Sequence, residues 1–321
     1  MKRRTLLSAA LGAAALGVGG WWSARSRHEE FATGGVVFGT TVSVRVLHDD
    51  EAVARAALAD AMQALRGVDR LMSLHRPDSA LSRLNREGHL DRPDPRLLMV
   101  LQTAQATAQL TGGAFDATVQ PLWDAMSFES DVTPALALVD WRKLDVSADR
   151  VRLRTPGMAV TLNGIAQGYG ADVALAALRE HGIADALLDT GEFASLGRRD
   201  DGRRWVLAVR DPRDPKVAAH LLGADGRCLA TSGDYQTYFS PDLSRHHIFD
   251  PKTGRSPQEL ASVSVLAPTG MQADALSTAC MVMGMEKSLQ LAARLPQVDV
   301  LCIAKSGELR KSAGFPDTSA A

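Results

Sequence analysis

Apolar residues recur at helical spacing in four stretches of the chain. In residues 51–71, Ala, Leu and Met return every three or four positions, and charged side chains fall on the opposite face. This periodicity predicts an amphipathic helix. The same pattern predicts further helices over residues 95–110, 168–181 and 272–295.

Short apolar stretches bounded by turn residues lie between these helices. Residues 34–46 alternate β-branched and small side chains, which predicts a first strand. Further strands are predicted at 151–153, 158–162, 186–188, 205–209, 229–231, 262–266 and 298–303. Because strands and helices are intermixed, the pattern predicts an α+β fold. No repeat or long linker divides the chain, so residues 34–316 are predicted to form a single domain, followed by a flexible tail at 317–321.

The first 25 residues are predicted to be an export signal. A basic start containing Arg3 and Arg4 precedes an Ala/Leu/Gly-rich run that ends near Gly20. The paired arginines resemble a twin-arginine signal, which predicts a periplasmic protein. An ordinary secretory signal is the alternative. Trp22 interrupts the best cleavage site, so an uncleaved N-terminal anchor also stays open.

Composition narrows the classes of partner. The chain has 321 residues, of which 45% are hydrophobic and 23% charged, with a formal net charge of −1. Such a chain can bury a substantial core, and it offers no basic surface for nucleic acid. The three cysteines, Cys228, Cys280 and Cys302, lie in apolar contexts without metal-ligand spacing, which predicts buried free thiols unless the fold brings two together.

The strongest chemical signal is the segment Arg-His-His-Ile-Phe-Asp-Pro-Lys-Thr-Gly at residues 245–254. Further along the chain, Asp274 and Thr278 are spaced i and i+4 in a helical pattern, which places both oxygens on one face. A carboxylate, a hydroxyl and a nearby imidazole suit metal-assisted chemistry on a phosphate. From the residues alone, a strand end followed by a β-turn, with Asp250 bonding its own backbone, fits equally well.

A glycine-rich stretch precedes the third predicted helix. Gly164, Gly168 and Gly170 lie in Leu-Asn-Gly-Ile-Ala-Gln-Gly-Tyr-Gly at residues 162–170. A turn of this kind at a helix N-terminus predicts an anion site suited to a pyrophosphate. Most glycine-rich turns are only turns, and that alternative stays open here.

These segments together resemble the ApbE family of flavin transferases. The His-Ile-x-Asp-Pro-x-Thr-Gly segment and the Ala-Asp-Ala-x-Ser-Thr helix match the family pattern. Matching blocks occur in the family's order: FGTTVSV from Phe38, LMSLHRPDSALSRLN from Leu71, TGGAFDATVQPLW from Thr111, LNGIAQGYGAD from Leu162, DTGEFASLG from Asp189 and LATSGDYQTYF from Leu229. The resemblance implies a T-fold-related fold with mixed or antiparallel sheets and packed helices. It also implies that residues 34–316 form a flavin transferase domain.

The resemblance also implies a role for particular residues. His247 matches the family's functionally required histidine and is the first candidate for the general base, with Asp274 as the alternative. The metal-ligating positions fall on the carbonyl of Gly164 and on the side chains of Asp274 and Thr278, with Mg²⁺ as the metal and FAD as the substrate. The flavin nucleotide is expected to contact Phe38, Ala114, Phe115, Asp116, Thr161, Gln167 and Ile248.

Three positions depart from the family pattern. Thr161 stands where relatives usually have Asp, Gln167 where they have Lys, and Thr190 where they have the first of two glycines. A Lys beside a phosphate makes a charge-assisted hydrogen bond that Gln cannot replace in full. The Gly-Glu-Phe-Ala-Ser-Leu-Gly form from Gly191 resembles the NosX-like branch, which is linked to nitrous-oxide-reductase maturation.

The resemblance implies an exported, Mg²⁺-dependent FAD:protein FMN transferase. It would attach FMN by a phosphoester bond to a Thr or Ser of an acceptor flavoprotein, for instance the electron-donor protein of nitrous oxide reductase, and release AMP. Two alternatives stay open. One is a periplasmic FAD pyrophosphatase, with water as the attacking group. The other is a non-catalytic flavin-binding accessory protein, which the changes at Thr161 and Gln167 favour.

Overall fold

The fold is that of a computed structural model, which describes residues 28–318. The predicted export signal at 1–25 lies outside the described residues, as do residues 319–321 of the predicted tail. In the described part of that tail, the Thr318 N–H donates to the Leu221 carbonyl at 3.1 Å. The domain boundaries stay a prediction. Between residues 28 and 318, no helix combines the length and the apolar character needed to cross a membrane.

The strands and helices follow one another in mixed order. The strands are β1 (Glu29–Val37), β2 (Thr40–His48), β3 (His89–Asp91), β4 (Leu144–Val146), β5 (Arg150–Leu153), β6 (Asp185–Asp189), β7 (Phe193–Leu196), β8 (Val206–Arg210), β9 (Ala218–Gly223), β10 (Cys228–Gly233), β11 (Leu260–Ala267), β12 (Asp299–Ala304) and β13 (Leu309–Lys311). The helices are α1 (Glu51–Met72), α2 (Ala80–Glu87), α3 (Pro95–Leu110), α4 (Gln120–Ser127), α5 (Val132–Leu136), α6 (Ala166–Glu180), α7 (Gly270–Met283) and α8 (Met285–Ala292), and a 3-10 turn spans Trp141–Lys143.

An antiparallel sheet of eight strands, in the order β1-β2-β6-β7-β10-β11-β12-β13, forms the centre of the fold. A second sheet has the order β3-β5-β4, and β8 pairs with β9 as a separate hairpin. The predicted α+β class, with antiparallel sheets and packed helices, is confirmed.

Both faces of the main sheet are covered. On one face, side chains of β2 and β11 such as Val44 and Val263 pack in one core with α1, α6 and α7. On the other face, Trp205 and Leu222 of the β8–β9 region pack against Leu266 of β11. Every residue of β11 is therefore buried. The three cysteines are buried and free, as predicted.

The predicted strand at 34–46 is wrong as one element. It is the hairpin β1–β2, which reverses at Phe38 and Gly39, whose φ angles are 56° and 73°. A turn with two left-handed residues matches the twist of the flanking strands. The strand alternation continues on both sides of such a turn, so the periodicity conceals the reversal.

The predicted helix at 272–295 is also wrong as one element. It begins two residues earlier as α7 and is interrupted at Gly284, where φ is 81°. The next helix, α8, is joined to the sheet because the Met285 N–H donates to Glu259 Oε1 at 3.0 Å. Met283 and Met285 flank the break and continue the apolar pattern, so the sequence reads as a single helix.

The predicted strand at 158–162 is not a strand. The backbone of Val160 pairs with the side-chain amide of Asn85 instead, with N–H···Oδ1 and Nδ2···O distances of 2.7 and 2.8 Å. Next to it, the Thr161 N–H donates to the Ala117 carbonyl at 2.8 Å. An amide side chain distant in sequence thus takes the place of a strand partner. These hydrogen bonds fix the position of the segment that leads into α6.

Candidate active site

A cavity of about 280 Å³ lies between the helical layer and the loops at the edge of the main sheet. All the residues predicted to form the site line it: Phe38, Ala114, Phe115, Asp116, Thr161, Gly164, Gln167, His247, Ile248, Asp274 and Thr278. They come from the β1–β2 turn, the segment after α3, the start of α6, the loop before β11, and α7. The structure therefore brings the predicted residues together, while their individual roles stay predictions.

Asp274 lies on the buried face of α7 and points into the cavity. It is 3% exposed, and its Oδ2 accepts a hydrogen bond from the Gly168 N–H at 3.0 Å. Burial raises the pKa of Asp274 to about 7, against the opposing effect of that N–H. An acidic group held in this way favours a cation beside it, because a cation would offset the cost of burying the charge.

Thr278 lies one helical turn after Asp274, against Gly164. A Cβ atom at Gly164 would be 2.7 Å from Thr278 Oγ1, so any side chain there would displace the hydroxyl. The Ser232 hydroxyl of β10 lies 3.4 Å from Thr278 Oγ1 and 2.7 Å from Ser277 Oγ. The i, i+4 pair thus presents a carboxylate and a hydroxyl on one helix face, as its spacing predicts.

The glycine-rich stretch leads into α6, and its turn and the first residues of the helix line the cavity at Asn163, Gly164, Ala166 and Gln167, so the predicted anion site there stays a prediction. Gly168 and Gly170 lie within the first turns of α6. A Cβ at Gly168 would be 2.1 Å from the Gly270 carbonyl oxygen, and one at Gly170 would be 2.9 Å from the ring of Phe38. These glycines let α6 approach α7 closely and make room for Phe38. Their role is close packing behind the residues that line the cavity.

His247 and His246 have different surroundings. Nδ1 of His247 lies 3.0 Å from the Thr237 carbonyl oxygen. Because a carbonyl only accepts, the hydrogen of the neutral ring is placed on Nδ1, and Nε2 keeps its lone pair. Burial lowers the pKa of His247, which favours this neutral form. His247 lines the cavity, so a basic nitrogen is available there.

His246, in contrast, is fully buried behind the cavity. The ring Nε2 lies 3.1 Å from the Pro257 carbonyl oxygen, and the backbone N–H of His246 donates to Ser256 Oγ at 2.9 Å. Burial lowers the pKa of His246 to about 4, so the ring is neutral at physiological pH. These contacts give His246 a structural role, in agreement with the assignment of the catalytic position to its neighbour.

Asp116 lines the cavity, but its carboxylate is engaged by Thr118 of its own loop and by the backbone of the distant 3-10 turn. Oδ1 accepts from the backbone N–H and the hydroxyl of Thr118 at 2.8 and 2.6 Å, and Oδ2 accepts from the Trp141 N–H at 3.0 Å. The i to i+2 bond is that of an Asx-turn. Asp116 therefore fixes the shape of the loop that carries Ala114 and Phe115 to the cavity.

Gln167, in the first turn of α6, contacts the tip of the β6–β7 hairpin. Its Nε2 is 3.3 Å from the Thr190 carbonyl oxygen, and a Cβ at Gly191 would be 2.7 Å from that same nitrogen. Gly191 has a φ of 94°, which favours glycine. Two of the three departures from the family pattern, Gln167 and Thr190, are thus in direct contact with each other.

Glu192, on the same hairpin tip, was missed by the sequence analysis. It is 7% exposed and lines the cavity, and its Oε2 accepts from the Thr231 N–H at 3.0 Å. Burial and the charge of Asp274 raise the pKa of Glu192 well above its ordinary value. No spacing links residue 192 to residue 274, so only the fold reveals this pair. His75, Trp123 and Asn163 also line the cavity and were not predicted.

The residues present fit a hard divalent cation. Among the described residues, no Lys or Arg lines the cavity, and no group of three or more His, Cys, Asp and Glu could hold a metal. A site made of one or two carboxylates, a hydroxyl and a carbonyl suits Mg²⁺, which takes oxygen ligands and completes its shell with water and phosphate. Asp274, Thr278 and Gly164 supply these atoms.

The chain belongs to the ApbE family, whose sequence pattern matches residues 38–302. The FAD:protein FMN transferase of Treponema pallidum (strain Nichols) is 33% identical over 326 residues, which cover 91% of this chain and 90% of that protein. The solved structure of the ApbE protein from Thermotoga maritima matches with a TM-score of 0.81 and 25% identity over 89% of this chain and 98% of that one. The flavin transferase ApbE from Vibrio cholerae matches with a TM-score of 0.77 and 28% identity over 91% and 98%. The predicted family and fold are confirmed. The relatives are named as flavin transferases, which is the predicted enzyme class.

Proposed function

We propose that this protein is a cation-dependent FAD:protein FMN transferase. The observation that carries the proposal is a single cavity lined by an imidazole whose Nδ1 is bound to a carbonyl, by a buried carboxylate and by a hydroxyl. An imidazole that accepts a proton and oxygen ligands for a divalent cation are the requirements of phosphoryl-group transfer. The names of the relatives agree with this chemistry.

The reaction transfers the FMN part of FAD to a hydroxyl group. The oxygen of an acceptor Thr or Ser attacks the phosphorus on the FMN side, and the bond from that phosphorus to the bridging oxygen breaks. AMP leaves with the electrons of that bond, and FMN remains joined to the acceptor by a phosphoester. His247 Nε2 takes the hydroxyl proton, because Nδ1 is already committed to Thr237.

Asp274, Thr278 and the Gly164 carbonyl would hold the cation. When bound, Mg²⁺ supplies positive charge against which the pyrophosphate and the departing AMP are stabilised. This chain needs that charge more than a relative with Lys would, because Gln167 is neutral and the described lining residues include no Lys or Arg. FAD affinity should therefore depend strongly on the divalent cation.

Apolar side chains that line the same cavity suit the flavin. Phe38, Phe115 and Ile248 line it, and Phe38 is held in place because its N–H donates to Asp69 Oδ1 at 3.2 Å. An aromatic ring and an aliphatic side chain provide the flat apolar contacts that an isoalloxazine requires. Thr161 and Gln167 would contact the polar ribose and phosphate portion.

The proposal also covers where in the cell the protein acts. The twin-arginine-like leader supports export to the periplasm, where the acceptor would be a periplasmic or membrane-anchored flavoprotein. An electron-donor protein for nitrous oxide reductase is the acceptor that the Gly191 block favours. Expression of the full chain with and without Arg3→Lys and Arg4→Lys, followed by fractionation, tests the route. Periplasmic accumulation should be lost in the double variant.

The release of AMP distinguishes the transferase from the two alternatives. FAD and Mg²⁺ are incubated with the protein, with and without a folded acceptor, and AMP is measured by chromatography. The proposal predicts AMP release that requires the acceptor. Release at the same rate without acceptor would indicate the FAD pyrophosphatase. FAD binding with no AMP in either case would indicate the accessory protein.

Gln167→Lys is expected to tighten FAD binding at low salt. A Lys directed at the phosphates adds a charge-assisted contact that the neutral amide lacks. The gain should shrink as ionic strength rises, because part of it is screened. Fluorescence titration of FAD at two salt concentrations measures the effect, with Gln167→Met as the uncharged control. An unchanged affinity at low salt would mean that this side chain does not reach the phosphates.

Thr278→Val is expected to reduce transfer, but by less than loss of Asp274. A neutral hydroxyl ligand can be replaced by water, whereas a carboxylate ligand cannot be replaced in charge. Thr278→Ser should restore most of the activity, since it keeps the hydroxyl. Initial rates at saturating Mg²⁺ test the order of the variants. Equal losses in Thr278→Val and Thr278→Ser would point to packing of the Thr278 methyl group and not to its oxygen.

A further inference from the structure

We propose that Glu192 is the second carboxylate of the cation site and that Glu192 and Asp274 together bind a divalent cation before FAD arrives. The inference rests on the proposed function, because it concerns the same cavity. Glu192 is carried there by the tip of the β6–β7 hairpin, where Asp189 pairs with Phe193 across the turn. It extends the ligand set beyond Gly164, Asp274 and Thr278.

Hydrogen bonds hold both the backbone and the side chain of Glu192 in place. Its backbone carbonyl accepts from the N–H and the hydroxyl of Thr190 at 3.0 and 3.1 Å, and its Oε2 accepts from the Thr231 N–H. The next residue of β10, Ser232, contacts the hydroxyls of Ser277 and Thr278 on α7. This chain of contacts connects the carboxylate of the hairpin to the helix that carries Asp274.

Charge is the main argument for a cation at this place. Glu192 and Asp274 are both more than nine-tenths buried, and each accepts one N–H hydrogen bond from within residues 28–318. Neither has a Lys, Arg or His among the described residues as its charge partner. Two buried carboxylates without a countercharge repel each other and are costly. A hard divalent cation such as Mg²⁺ or Mn²⁺ resolves the conflict.

The neutral side chain of Gln167 also supports a cation bound by Glu192. It lies against the same hairpin tip, in contact with Thr190 and Gly191, and it is neutral. No cationic side chain of the described lining competes with a metal for Glu192. A cation held by both carboxylates would let a pyrophosphate enter a cavity that they line. Without the cation, the two carboxylates would repel the phosphates, which is why the proposal has the cation bind first.

Binding of Mn²⁺ in the absence of FAD tests the inference. The full chain is titrated at pH 8 and free Mn²⁺ is followed by electron paramagnetic resonance. The wild-type protein should bind Mn²⁺, and Glu192→Gln should weaken binding by about 10–100-fold or more, because losing a charged ligand costs at least as much as losing an outer-shell partner of a ligand. Asp189→Asn is the matched control. It removes a neighbouring carboxylate while keeping the acceptor for the Gly191 N–H, and it should bind like the wild type.

Thermal unfolding provides a second readout that separates folding from binding. In EDTA, Glu192→Gln should unfold at the same or a higher temperature than the wild type, because Gln still accepts from Thr231 and a buried charge is gone. Added Mg²⁺ should then stabilise the wild type more than the variant. Glu192→Asp keeps the charge and should recover part of the stabilisation.

The possible outcomes separate this inference from the proposed function. If Glu192→Gln binds Mn²⁺ as tightly as the wild type while Asp274→Asn does not, the inference is wrong and the transferase proposal stands. If the wild type binds no Mn²⁺ without FAD, the inference is also wrong. If Mn²⁺ binding follows Glu192 but no acceptor receives FMN, the inference stands and the proposed function fails.

Discussion

Asp274→Ala should abolish FMN transfer and weaken FAD binding in the presence of Mg²⁺. The carboxylate is the charged ligand of the proposed cation site, and it lies buried on α7 beside Thr278. A metal ion contributes several kcal/mol to charge stabilisation in the transition state. Since about 1.4 kcal/mol corresponds to a tenfold change in rate, a loss of about 10³-fold or more is expected. Initial rates and FAD titrations with and without Mg²⁺ measure both effects.

Asp274→Asn provides the matched control for charge. The amide oxygen can still accept from the Gly168 N–H, so the contact between α6 and α7 is kept. The loss of activity should be nearly as large as in Asp274→Ala, and the difference in FAD affinity between Mg²⁺ and EDTA should disappear. Full Mg²⁺-dependent activity in either variant would overturn the assignment of Asp274 to the cation site.

His247→Ala should lower turnover by about 10²–10⁴-fold, the usual contribution of a general base. FAD binding should be nearly unchanged, because the imidazole acts on the acceptor hydroxyl. The pH dependence provides a further readout. Burial lowers the pKa of His247, and the base must be neutral to act, so the acidic limb of the kcat profile should lie below the ordinary histidine value of about 6.5. This limb should be absent from the residual activity of the variant.

His246→Ala is the control for the pair of imidazoles. It removes a fully buried ring and its contact with the Pro257 carbonyl, so it should destabilise the fold while the remaining folded protein keeps its turnover. The free energy of unfolding and the rate per folded molecule are measured together. If the loss of turnover follows His246 and not His247, the catalytic position is shifted by one residue.

Residue spacing within a single segment is enough to predict part of the site and of the fold. Asp274 and Thr278 face one way because they are separated by one helical turn, and the long helices α1, α3 and α6 follow from their periodicity. The family resemblance then identifies His247 over His246. The structure gives the physical reason, since Thr237 and Pro257 place the two rings in different surroundings.

The remaining features depend on contacts between distant segments. Glu192 belongs to the site because the β6–β7 tip meets β10, and Val160 is held by Asn85, which lies 75 residues away. Phe38 reaches the cavity through a left-handed turn inside a continuous strand pattern. Sequence periodicity describes each segment alone, so it misses a side chain whose role is created by a partner from another segment.

The mass of an acceptor flavoprotein after incubation with this protein, FAD and Mg²⁺ tests the central claim most directly. Intact-protein mass spectrometry should show an acceptor that has gained one FMN phosphoester, with AMP released in equal amount, and an acceptor whose target Thr or Ser is replaced by Ala should gain none. Release of FMN and AMP with no change in the mass of a competent acceptor would contradict the transferase assignment.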